Sequence, residues 1–186
     1  FRFGTRLADI GIEDGRLREV MLAGREGAER ARVDALVAAV GHSARGTFGM
    51  FLRRGVPLQA KPFSIGVRIE HPQELVDRAQ YGRFAGHPRL GHADYKLVHH
   101  CAGGRSVDTF CMCPGGWVVP AASEEGGVVT NGMSEYARDG ANANAALLVG
   151  VDPVDFGGEG PLAGIEFQRR WERAAFAAGG GGYRAP

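Results

Sequence analysis

Apolar and polar residues alternate from Thr5 to Ile12 and again from Leu17 to Leu22, on either side of Glu13-Asp14-Gly15. Two alternating runs joined by Asp-Gly predict a β-hairpin. Glycine and charge fill Ala23 to Arg30, and Val33 to Val40 is then a nearly unbroken apolar run ending at Gly41. Such a run predicts a fully buried strand, so this stretch reads as a β-meander feeding a central strand. Ser43 stands where an N-cap would, before a helix over Ala44 to Arg54 closed by Gly55. Its inner face would carry Phe48, Phe51 and Leu52, at i, i+3, i+4 spacing.

Pro57 to Ala60 is extended, and Phe63 to Glu70 alternates as a strand. A short helix follows over Gln73 to Ala79 with Leu75 and Val76 inward, then a loop from Tyr81 to Ala93. Tyr95 to Cys101 and Val107 to Cys113 flank Ala102-Gly103-Gly104-Arg105-Ser106, a second hairpin. Pro114-Gly115-Gly116 breaks the second strand. Strands are expected at Trp117 to Ala122, Val128 to Thr130 and Ala145 to Val151, with turns at Gly126-Gly127 and Asn131-Gly132. Pro161 opens a helix through Ala178, whose apolar face would carry Ile165, Trp171, Ala174 and Ala175, with Leu162 and Phe167 nearby. The pattern predicts an α+β fold with a mixed, largely antiparallel sheet and about three helices.

Composition sharpens this in one respect. Glycine numbers 30 of 186 residues, roughly twice average usage. The glycines follow no three-residue period and separate apolar runs, so they imply tight turns and close backbone approaches. Lys plus Arg is 22 against 21 Asp plus Glu, which gives no field for nucleic acid or an anionic membrane. No apolar run is long enough to span a bilayer. An odd count of three cysteines suits an intracellular, reducing compartment, the cytoplasm. The chain opens on Phe1 and closes at Pro186 just after four glycines, and both ends read as cut from a longer protein.

Two places could carry chemistry. At Gly41-His42-Ser43 a strand runs into a glycine turn and a helix N-terminus, which suits a phosphate or serves only as a tight turn. The same residues approximate the G-x-S-x-G nucleophile elbow with Ser43 as nucleophile, although Arg45 stands where a small residue is wanted. The second place is Cys111-Met112-Cys113-Pro114-Gly115-Gly116. Strand alternation would turn both thiols to one face. A symmetric hairpin puts Leu97 opposite Cys111 and Tyr95 opposite Cys113, with His99 and Cys101 on that same face. This set could pack as small hydrophobes, form a redox pair, or make a zinc site from Cys101, Cys111, Cys113 and nearby histidines. The bare backbone of Pro114, Gly115 and Gly116 would suit a flat ring. Lys61, one of two lysines, could balance a ligand's charge. Glu124, Glu125, Arg169 and Arg170 read as solvated. There is neither a Walker A loop nor a G-x-G-x-x-G fingerprint.

Several longer strings carry a resemblance. Ala39-Val40-Gly41-His42-Ser43-Ala44-Arg45, Lys61-Pro62-Phe63-Ser64-Ile65-Gly66-Val67-Arg68-Ile69-Glu70-His71-Pro72, Cys111 to Gly116, Ala122 to Ser134 and Gly164 to Trp171 occur in this order. Together they resemble the bacterial FAD-dependent dehydrogenase-like flavoproteins. One departure is that Gly46 and Gly49 stand after Arg45 in place of larger polar residues. The resemblance implies a fragment of an oxidoreductase that lacks an N-terminal Rossmann segment and a C-terminal segment of the flavin site. Residues 1–60 would be part of an FAD-binding domain, and 61–183 an inserted substrate or cap domain. FAD would be the cofactor, with NAD(P)H as a candidate electron donor and a small molecule as substrate. Gly41, His42, Ser43, Lys61, Pro114, Gly115 and Gly116 would lie at the cofactor. Cys111, Cys113 and His99 would be the proton-moving groups, and no resident metal is expected.

Overall fold

The computed structural model describes residues 1–185. Their contacts divide the chain into two units, Phe1–Ala60 with Glu159–Ile165, and Lys61–Gly158 with the residues from Glu166 onward.

The first unit is built on a three-stranded antiparallel meander, β1 (Arg6–Glu13), β2 (Arg16–Gly24) and β3 (Gly27–Arg32). Asp14 and Gly15 both take positive φ in the β1–β2 turn, as a tight hairpin turn requires. The third strand occupies the stretch whose charge and glycine masked it in the sequence. It is polar and mostly exposed, so only its pairing with β2 marks it as a strand. Helix α1 (Arg45–Arg53) packs Met50 and Phe51 onto Ile10 and Val20. The expected inner residue Leu52 lies outside, at 40% exposure. The N-cap position falls on Ala44, not Ser43.

The expected buried strand over Val33 to Val40 does not form. Residues 34–40 lie outside any strand, and Val37 is 90% exposed. The physical reason is pairing. A strand apolar on both faces needs neighbours on both edges and layers above and below. The sheet of the first unit consists of β1, β2 and β3, and no strand of it pairs with this run.

The second unit holds a four-stranded antiparallel sheet in the order β4 (Phe63–Pro72), β9 (Asn142–Val151), β6 (Ser106–Cys113), β5 (Val98–His100). A two-stranded ribbon of β7 (Gly116–Ala121) and β8 (Val129–Ser134) accompanies it. Helix α2 (Gln73–Tyr81) continues directly from β4, and α3 (Ala163–Ala178) is the last helix of the described chain. The architecture is α+β with antiparallel sheets and three α-helices, as the patterning predicts.

Phe63, Phe156 and Phe167 form an aromatic cluster with ring centroids 5.1–6.1 Å apart. Phe167 is therefore the large α3 side chain that enters the core, alongside the buried Ala163. Trp171 only edges against it and remains half-exposed, and Ala174 is exposed, contrary to the expected face. On α2, Val76 is buried but Leu75 is 63% exposed, and the other buried positions are the polar Gln73 and Asp77.

Asn131-Gly132 is not a turn. Both residues lie within β8, opposite Val119 and Val118. Glycine is required there by proximity: a Cβ on Gly132 would sit 2.2 Å from Arg68 Nη1 and from Asn144 Oδ1. The expected solvated charges also differ. Arg169 makes a bidentate contact to Glu124 at 2.6 and 2.7 Å and also bonds Glu166, which ties α3 to the turn before β8.

Candidate functional site

The strand β6 carries the thiols and departs from regular alternation just where they occur. Phe110 pairs with Ala146 and Cys113 with Asn144, so three steps on β6 match two on β9. The extra residue is a β-bulge, and Cys111 takes φ +46 within it. A left-handed, non-glycine residue is uncommon and costs about 1–3 kcal/mol. It persists because its surroundings hold it. Arg68 Nη1 donates to the Cys111 carbonyl at 3.2 Å, and the Cys113 thiol donates to the same oxygen at 3.3 Å. Arg68 Nη1 also donates to Asn144 Oδ1 at 2.6 Å. Asn144 is fully buried, and neither its Nδ2 nor Arg68 Nε has a hydrogen-bond partner among the described residues.

The bulge separates groups that a symmetric hairpin would unite. Val98 pairs with Asp108 and His99 with Val107, and Val107 pairs with Val149. Cross-strand partners share a face, and residues an odd number apart on β9 do not. Since Cys113 pairs with Asn144, His99 lies on the opposite face of the sheet from Cys113. Cys111 is exposed, Cys101 and Cys113 are partly buried, and all three are free thiols. Among the described residues, no group of three or more His, Cys, Asp and Glu side chains is gathered tightly enough for a metal ion. The zinc reading therefore has no ligand set to stand on.

Pro114, Gly115 and Gly116 are all buried. A Cβ on Gly115 would lie 1.9 Å from the Arg138 carbonyl, and one on Gly116 would lie 2.2 Å from that of Met133. The space these glycines leave is filled by the protein's own backbone. They do not present the bare surface expected for a flat ring. Gln73 holds this turn: its Oε1 accepts from Gly115 N at 3.0 Å, and its Nε2 donates to Asp77 Oδ1 and the Ala93 carbonyl, both at 2.9 Å. Asp77 also accepts from Ala93 N at 2.7 Å and from His92 at 2.8 Å. Burial pushes the Asp77 carboxyl up, but these donors outweigh it and hold it below the ordinary aspartate value.

The sequence pattern missed this network. Its signal was the spacing of Gln73, Val76 and Asp77, which puts two polar residues on the helix face that also carries a buried valine.

The turn before α1 is the other candidate. Gly41 takes φ +72, and nothing lies within 4 Å of the position its Cβ would occupy. Gly41, His42 and Ser43 are exposed, and Ser43 Oγ lies 3.3 Å from His42 Nε2. The turn is open, and the N-terminus of α1, with its N-cap at Ala44, follows it. It does not make a nucleophile elbow, because the strand such an elbow requires is not formed. Lys61 is exposed at the start of the second unit.

This geometry has a family to belong to. Residues 62–186 match the family described as FAD-dependent protein, C-terminal domain-like. The chain belongs to that family. A relative from Clostridium beijerinckii, named only as an uncharacterized protein, is 51% identical over 185 residues, which is 99% of this chain and 34% of the relative. The chain thus spans about a third of the length of the relative it matches. Among the described residues no helix is long and apolar enough to cross a membrane.

Proposed function

We propose that the protein is an FAD-dependent oxidoreductase acting on a small molecule. On this reading residues 61–183 form the substrate-facing domain, and residues 1–60 form part of the cofactor domain. The observation that carries the reading is the match of residues 62–186 to an FAD-dependent family, together with a strained, solvent-facing cysteine on a bulged strand of the same segment. Strained backbone concentrates at working sites.

FAD would supply the hydride chemistry. The chain's own contribution divides in two. Gly41, His42 and Ser43 would bind the phosphate or ribose portion, since that turn is open and ends at a helix N-terminus. Cys111 would hold or release a proton at its thiol. Arg68 and Cys113 act as positioning residues for it, through their shared bonds to its carbonyl. The roles expected of Pro114, Gly115 and Gly116 shift from ring contact to support, because their turn packs against the backbone of Arg138 and Met133 and is bonded to Gln73. His99, across the sheet, is left outside the proton route.

The absorption spectrum of the full-length protein tests the cofactor. Flavin bands are expected, and a colourless protein that takes up no added FAD sinks the reading. Cys111→Ser and Cys113→Ser test the thiols. Cys111→Ser should slow flavin reduction by substrate at unchanged flavin content. If both variants reduce and turn over as the parent does, the thiols have no role.

A further inference from the structure

Asparagine occurs three times in the chain, at Asn131, Asn142 and Asn144. An asparagine side chain can react with its own backbone: the nitrogen of the next residue attacks Cγ and expels the side-chain amide. That reaction needs a reachable nitrogen, an unheld side chain and room for the ring. The three asparagines differ in all of these.

Asn142 and Asn144 are held. The Asn142 Nδ2 donates to Glu70 Oε1 at 2.6 Å, and the Asn144 Oδ1 accepts from Arg68 Nη1 at 2.6 Å. Each is followed by a fully buried alanine, Ala143 or Ala145. Asn131 is exposed and followed by Gly132, which has no side chain to crowd the approach. Its Oδ1 accepts from the Gly132 N–H at 2.9 Å, so the Cγ bonded to that oxygen lies within about 4 Å of the attacking nitrogen. Its Nδ2, the leaving group, makes no hydrogen bond among the described residues. As a strand, β8 is paired with β7 alone, and a two-stranded ribbon opens locally at small cost.

We propose that Asn131 deamidates spontaneously in the folded protein and that its isoaspartyl product unseats the bulge at Cys111. The bond from Gly132 N to Asn131 Cγ forms and the Cγ–Nδ2 bond breaks. Nδ2 leaves as ammonia with the proton that Gly132 N gives up. Water then opens the cyclic imide. Opening at Cγ gives aspartate. Opening at the main-chain carbonyl gives isoaspartate, whose backbone runs through Cγ and is one atom longer. Gly132 has no slack for that atom: a Cβ there would lie 2.2 Å from Arg68 Nη1 and 2.9 Å from Cys113 Sγ. Those two groups hold the Cys111 carbonyl, so the added length is passed to the bulge. The assignment stands independently of the flavin reading.

The test is peptide mapping of the full-length protein, kept folded in oxygen-18 water at neutral and mildly alkaline pH. A synthetic peptide of residues 128–134 sets the unfolded rate. Asn131 should lose its amide and gain a heavy oxygen, faster at the higher pH and within about tenfold of the peptide's rate. Asn142 and Asn144 should keep their amides. The isoaspartyl form, separated chromatographically, should let iodoacetamide reach Cys113 several-fold faster than in Asn131→Asp. That variant carries the same charge on an unlengthened backbone, and its exposed position should leave the fold intact. The proposal is overturned if Asn131 in the folded chain reacts more slowly than that range, or if Asn142 or Asn144 is lost as fast. It is also overturned if the isoaspartyl form and Asn131→Asp alkylate alike.

Discussion

Gly41 and Gly115 are both left-handed glycines in turns next to a candidate site, with φ of +72 and +57. Their surroundings are opposite. Nothing of the protein lies near the place where a Gly41 side chain would begin, whereas the Arg138 carbonyl occupies that place at Gly115. The first turn leaves room and the second has had its room taken. A glycine-rich string therefore does not by itself point to a ligand. The question that separates the two cases is whose atoms fill the missing side chain's volume. The Gly41 turn is left open, and the Gly115 turn is packed against the backbone of Arg138 beside the cysteine bulge.

The largest effect should come from closing the filled turn. Gly115→Ala collides with backbone and also strains φ, so it should cost about 3 kcal/mol or more of stability, read from the denaturation midpoint. A loss below 1 kcal/mol would mean that the 138–140 segment yields easily, and the contrast would fail.

Gly41→Ala meets open space and pays only for its positive φ, about 1 kcal/mol. In the full-length protein it should nevertheless weaken FAD uptake, because a Cβ enters the surface the cofactor would approach. Unchanged flavin content would detach this turn from the cofactor.

A smaller effect sharpens the picture of what carries the Gly41 turn. Arg54, just after α1, donates through Nε to Asp9 Oδ1 on β1 at 2.7 Å. Together with the Ile10 N–H, it holds the Asp9 carboxyl at about 2, against an ordinary 3.8. A carboxyl depressed on folding stabilises the fold above its unfolded value and loses that contribution as the pH falls through its folded value. The stability difference between the parent and Asp9→Asn should thus be constant near neutrality and shrink between pH 3.8 and about 2. A difference that persists unchanged at pH 2 would show that the pair does not act through charge.

Much of the frame was legible because it rests on local rules. Asp14-Gly15 set the first hairpin, alternation set β4, and the helix over Gln73 to Ala79 was found with its end two residues short. The failures have non-local causes. Val33 to Val40 has the composition of a central strand, but strand formation depends on neighbours that composition does not contain. Asn131-Gly132 has turn chemistry, yet Arg68 and Asn144 press against it from other strands. The face shared by the thiols and His99 was lost to one extra residue in β6, since a one-residue slip exchanges the faces of everything beyond it. In the Gln73–Asp77–His92 network, spacing marks only Gln73 and Asp77 on the buried face of α2, whereas His92 and the carbonyl and amide of Ala93 come from the following loop, which no spacing rule reveals.

The unpaired run after the meander has a practical consequence for anyone making these 186 residues in isolation. Ala35 to Val40 is six residues long, uncharged, and free of proline and glycine, with Val37 and Val40 turned to water. That is the composition of a segment that stacks with copies of itself. Self-association in concentrated stocks should start there, and a lysine at Val37 is the first change to make toward a well-behaved preparation.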